Sequence, residues 1–117
     1  MKRFTLSIIT LLVGFSAHAS HFGSINVQDE YQVALLKVGC ELEYKELLAT
    51  AKQQNQIVTL ASGEFIGGQT PEGILTDYTF NLQVQNQLAA GFRTVQLVVS
   101  EMNNKDGRLL KCRNLSK

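Results

Sequence analysis

The sequence predicts an α+β domain in which one long helix packs on a curved, four- to five-stranded antiparallel sheet. Three observations predict it. Between Thr76 and Gln85, the residues Thr76, Tyr78, Phe80, Leu82 and Val84 alternate with Asp77, Thr79, Asn81, Gln83 and Gln85. Successive strand side chains point to opposite faces, so this pattern makes a sheet with one buried and one wet face, which favours antiparallel pairing. The stretch from about Glu30 to about Gln54 is rich in Leu, Ala, Glu and Lys and repeats its apolar residues at helical spacing. Two cysteines, Cys40 and Cys112, stand far apart in the chain and give it a means of pinning the helix to the last strand.

The chain opens like an export signal. Lys2 and Arg3 form a charged head, Phe4 to Phe15 is an apolar run short for a bilayer, and Ala17-His18-Ala19 supplies a small-x-small cleavage site. Residues 1–19 are therefore expected to be a signal peptide and residues 20–117 a single small exported domain, periplasmic or secreted. The residue directly after the cut is Ser20 and not Cys, so lipid anchoring at that point has no support. The remaining 98 residues carry 9 basic and 10 acidic groups, a formal charge of −1. Such a balance lacks the field that holds phosphates, so nucleic acid is not an expected partner.

Ser20 to Ser24 reads as a tail, and Ile25 to Gln28 as a short extended piece. Asp29 suits a helix N-cap, with Gln32 three residues on. Within the helix, Val33, Leu36, Cys40, Tyr44, Leu47 and Ala51 share one face. That stripe contains Cys40 and is expected to lie on the sheet. Tyr31, Leu35, Val38, Leu42 and Ala49 make a second, nearly opposite stripe, open to the tail or to a partner subunit. A strand is expected over Ile57 to Ile66, with Val58, Leu60 and Ile66 in phase, and a loop around Glu64 to Gly68. A further strand spans Phe92 to Glu101, with Val95, Leu97 and Val99 inward. Asn103 to Gly107 has hairpin-loop composition. Arg108 to Leu115 is the last strand, with Leu110 and Cys112 on one face and a basic remainder that suits a charge-defended edge. Phe80, Leu82, Val95 and Leu97 should form the core against Leu36 and Leu47.

Export delivers Cys40 and Cys112 to an oxidising compartment, where a disulfide between them is the expected state. Closing a loop of that length contributes about 4 kcal/mol in the entropic account. Catalytic constellations are lacking. The only His of the mature part, His21, lies in the tail, so no Ser-His or Cys-His pair is expected. Glu41 and Glu43 point apart on the helix, and Glu64, Glu72 and Asp77 lack ligand spacing. Ser20-His21 could at most chelate copper weakly. Gly63 to Gly73 lacks the Lys-Ser/Thr ending of a phosphate loop. The expectation is a non-enzyme with no metal or cofactor.

The order of short strand, long helix and four antiparallel strands, with Glu64-Phe65-Ile66-Gly67-Gly68 after the second strand, resembles the cystatins. Glu64, Ile66 and Gly68 stand where that family has Gln-x-Val-x-Gly, Gly23 where it has an N-terminal Gly, and Asn103 to Gly107 at its second hairpin loop. The resemblance implies wedging of Gly23, Glu64, Phe65, Ile66, Gly67, Gly68, Asn104 and Asp106 into a papain-like cysteine protease. The chain departs from the family in having no Trp for the second loop, an insertion at Gln69 to Gly73, and a different disulfide pattern. Two other readings stand beside it. One is a protein-interaction module using the second helix stripe and a glutamine-rich face (Gln83, Gln85, Gln87, Gln96). The other is a carrier of small apolar ligands, with a cavity lined by Tyr44, Tyr78 and Phe80.

Overall fold

The structure, a computed structural model, describes residues 19–116, with side chains from residue 21 onward. The signal-peptide expectation lies outside the described residues, apart from Ala19. The elements are β1 (Ala19–Ser24), α1 (Glu30–Gly39), α2 (Glu41–Gln53), β2 (Gln56–Thr70), β3 (Gly73–Asn86), β4 (Phe92–Asn104) and β5 (Gly107–Asn114). The five strands form one antiparallel sheet in the order β1-β2-β3-β4-β5.

The expectation of one long helix is not met. Two short helices meet at Cys40, whose φ of −118° and ψ of 41° leave the helical region. Two constraints act at this point. Cys40 is bonded to Cys112 across the sheet. Beside it, Gly39 lies so close to β4 that a Cβ there would stand 2.5 Å from Val99 Cγ1. The apolar period runs through both residues, so it shows no break. Gly39, costing about 1 kcal/mol relative to Ala inside a helix, was the legible sign. Asp29 is the N-cap, its carboxylate accepting from the Tyr31 N–H at 2.9 Å. Gln32 accepts instead from the N–H of Asn26.

The face chosen for the sheet does turn inward. Leu36, Cys40 and Ala51 are buried, with Tyr44 and Leu47 packed on the core formed by Phe80, Leu82, Val84, Val95, Leu97 and Val99. On the second stripe, Leu35 packs against that core, while Tyr31, Val38 and Leu42 are exposed.

The strands are longer than expected, and β1 lies earlier. Ala19 to Ser24 pairs with Gly68 to Glu64, whereas Asn26 to Asp29 forms a turn. The residues Glu64 to Gly68 form no loop, because β2 continues through them to Thr70. An irregularity between Leu60 and Ser62 is why the strand's alternation does not hold along its length. One extra residue at a bulge exchanges the two faces of the strand. Val58 and Leu60 face the core before it and Phe65 after it, so Ile66 points outward and is 53% exposed.

Candidate functional site

The meander brings two tight turns to one end of the sheet. In the first, Thr70 pairs with Gly73, and Pro71 and Glu72 form the tip. The Thr70 hydroxyl donates to the Gly73 carbonyl at 2.8 Å and accepts from the Glu72 N–H at 3.2 Å. Pro71 presets its own φ, and Gly73 adopts φ +141° where a Cβ would collide with the Asn103 carbonyl. In the second, Asn104 pairs with Gly107 around Lys105 and Asp106. Asn104 Oδ1 accepts from the Asp106 N–H at 2.8 Å, a side chain imitating a backbone turn. The pairing of Ile74 with Asn103 holds the two turns side by side. The first residue of β1 lies opposite Gly68, two residues below Thr70.

Pro71, Glu72, Lys105 and Asp106 are exposed, and Ile74 is 44% exposed beside them. A shallow recess of ≈ 420 Å³ runs between the turns. Behind it the strands are tied by polar contacts. Arg108 Nε donates to Glu101 Oε2 at 2.6 Å, and the Tyr78 hydroxyl donates to Glu101 Oε1 at 3.3 Å. Burial, followed by the negative charge of Glu101, raises the Tyr78 pKa above its ordinary value.

The structure separates the residues that the resemblance placed together. Asn104 and Asp106 do sit in a turn at this end. Gly23 is inside β1, opposite Phe65, not ahead of a strand. Glu64 and Ile66 project from the outer face of the sheet. Phe65 is half-buried on the core face, its ring 5.9 Å from His21 and 6.0 Å from Tyr78. Gly67 and Gly68 are buried and paired on both sides, to β1 and to β3. A backbone spent in two ladders cannot enter a cleft as a loop. The tip residues Thr70 to Gly73 fall in the stretch Gln69 to Gly73, which the resemblance treats as an insertion. Their signal, Pro-Glu between Thr and Gly, is that of a two-residue turn.

The other candidate chemistry is also dispersed. His21, expected in a ragged tail, belongs to β1 and has Nε2 3.3 Å from Thr76 Oγ1. Cys40 and Cys112 form a disulfide. With Glu43 they make a cluster of ligand-type atoms within 4.8 Å, but both sulfurs are spent in that bond. Asp77 accepts from the Ser100 hydroxyl at 2.6 Å and faces Arg113 at 3.6 Å, apart from Glu72 at the tip. The three residues expected to line a carrier cavity pack together instead: Phe80 is fully buried, and Tyr44 and Tyr78 pack against the same core. The recess of ≈ 380 Å³ between α2 and β4 is lined by other residues, among them Glu43, Glu46, Leu47, Arg93 and Val95. Among the described residues no helix is long and apolar enough to cross a membrane. No protein-family model, curated protein or solved structure matches this chain.

Proposed function

We propose that this protein is an exported, non-enzymatic binding module that presents the hairpin end of its sheet to the cleft of another protein, with papain-like cysteine proteases as the partner class. The observation that carries this reading is the placement of the two turns and the start of β1 at one end of a single sheet. Side-chain hydrogen bonds and a positional glycine stiffen the turns before any partner arrives. A pre-ordered tip loses little conformational entropy on docking, so more of its contact energy survives as affinity.

The contacting residues in this reading are Pro71, Glu72, Lys105 and Asp106, with Asn104 shaping the second turn. Glu64 to Gly68 contribute through the strand that supports the first turn. Support for a non-enzymatic role comes from the chemistry of the end itself. Its exposed groups are two carboxylates, an ammonium, a proline ring and amides, with no activated nucleophile. Such a surface blocks a cleft and leaves the partner's bonds intact. Export is supported by the leader-like residues 1–19 and by the disulfide, which suits an oxidising compartment.

Titration of the purified protein into a panel of papain-like proteases with a fluorogenic substrate tests the reading. Inhibition is expected, and the pair Glu72→Arg and Asp106→Arg should weaken it about tenfold or more while the melting temperature stays unchanged. Glu64→Arg should leave it intact. Unslowed turnover at high micromolar protein would refute the reading.

A further inference from the structure

The two edges of the sheet differ, and the difference points to a second surface. An edge strand offers a row of unpaired backbone donors and acceptors to any extended chain, and natural sheets guard such edges with charge or proline. β5 is guarded by Arg108, Lys111 and Arg113. β1, Ala-Ser-His-Phe-Gly-Ser, carries no Lys, Arg, Asp, Glu or Pro. Among the described residues it pairs with β2 on one side only.

The side chains beside this edge define what would fit. Phe22 is 75% exposed on the outer face, next to Ile66 across the ladder. Gly23 faces the core side, and the Phe65 ring lies over it, 3.1 Å from where a Cβ would stand. The absent side chain thus leaves the aromatic ring within reach of the edge. Ser24 returns to the outer face, and beyond its short side chain stands Glu64. Among the described residues Glu64 makes no ion pair or side-chain hydrogen bond. An open groove of ≈ 600 Å³ runs past these residues.

We propose that the β1 edge binds an extended basic segment of another protein by strand addition. The segment supplies a cation, an apolar residue and a second apolar residue in succession, opposite Ser24, Gly23 and Phe22. The added strand runs antiparallel to β1, the more stable pairing. Its cation passes over Ser24 to Glu64, since adjacent strands stand about 4.8 Å apart and an Arg or Lys side chain spans the extra strand. Its central residue packs on Phe65, and its last on Phe22 and Ile66. Main-chain hydrogen bonds supply attraction, and these pockets supply selection.

A second copy of this chain is a poorer occupant. A two-fold β1–β1 pairing brings no Lys or Arg side chain to either Glu64, because β1 contains none. In a five-stranded antiparallel meander β1 and β5 run the same way. Adding β5 of another copy by continuing the sheet would therefore be parallel and non-closing.

The test is two-dimensional NMR titration of the purified protein with the blocked hexapeptide Thr-Arg-Val-Leu-Thr-Thr. Shifts are expected at His21 to Ser24 and at Glu64 to Ile66, with no change at Pro71, Glu72, Lys105 or Asp106. Glu64→Lys, and the milder Glu64→Gln in case the first folds poorly, should each weaken binding about fivefold, and an Arg→Glu peptide should recover affinity for Glu64→Lys. A backbone N-methylated peptide should not bind. Wild-type affinity in both Glu64 variants, or shifts confined to the hairpin end, would overturn the proposal. So would a wild-type protein that sediments as a dimer with the β1 amides already protected from exchange. Protease inhibition through the hairpin end is a separate measurement, so either surface can fail alone.

Discussion

Reducing the Cys40–Cys112 bond should remove a large share of this protein's stability. The two residues are separated by 72 positions, so the bond closes most of the described chain into one loop. In the chain-entropy account such a loop restricts the unfolded ensemble by about 4 kcal/mol near room temperature. A domain of this size is expected to hold only about 5–15 kcal/mol in all. The bond also sits at the break between α1 and α2, so its loss removes the covalent tie between the helical layer and β5. Cys40 is fully buried and Cys112 is half-buried, so a reductant reaches the sulfurs poorly in the folded state. The assay is urea unfolding followed by circular dichroism, for oxidised protein and for protein reduced while unfolded. The midpoint should fall sharply and the slope should rise, because a reduced chain is more expanded when unfolded. A midpoint shift worth less than about 1 kcal/mol would refute the argument, since it would mean the reduced unfolded chain is as restricted as the bonded one.

Further outcomes follow from single positions. Leu82 is fully buried and Gln83 faces the other side of β3, so Leu82→Ala should cost about 2–5 kcal/mol in urea melts and Gln83→Ala under about 0.5 kcal/mol. Gly39→Ala should destabilise by about 1–2 kcal/mol despite the better helix propensity of Ala, because its Cβ would stand 2.5 Å from Val99 Cγ1. Combining it with Val99→Ala should cost less than the sum of the two changes, and strict additivity would show that no contact exists. The raised Tyr78 pKa keeps the phenol protonated in the fold at pH values where the unfolded chain ionises it. That stability is fully present below the ordinary tyrosine pKa of 10.0 and is lost as pH rises through the folded value. Thermal melts of Tyr78→Phe should therefore lack a downturn above pH 10 that wild type shows.

Much of the sheet could be read from alternation because β3 and β4 each keep one phase along their length. Phe80, Leu82, Val95 and Leu97 fall on the core face for that reason. β2 resisted the same reading because its bulge exchanges faces midway, which made Glu64 to Gly68 resemble a loop. β1 has little alternation and no β-branched residue, and its pairing comes from the long neighbour it lies against. The helix break is a tertiary effect: the spacing of apolar residues passes through Cys40, while close packing on Val99 and the bond to Cys112 decide the backbone there. At the candidate site the second turn was legible from Asn and Asp-Gly composition. The first was hidden because the glycines at Gly67 and Gly68 have loop composition although they lie inside β2, ahead of the turn at Thr70 to Gly73.

The most direct test of the hairpin-end account is a map of the bound surface. Amide signals of the isotopically labelled protein should be followed while a papain-like protease with its catalytic thiol blocked is added. Selective broadening is expected at Glu72 to Ile74 and Asn103 to Arg108, with Gln85 to Phe92 at the opposite end unaffected. Broadening centred on Gln85 to Phe92 or on the exposed Tyr31, Val38 and Leu42, with the two turns unchanged, would contradict it.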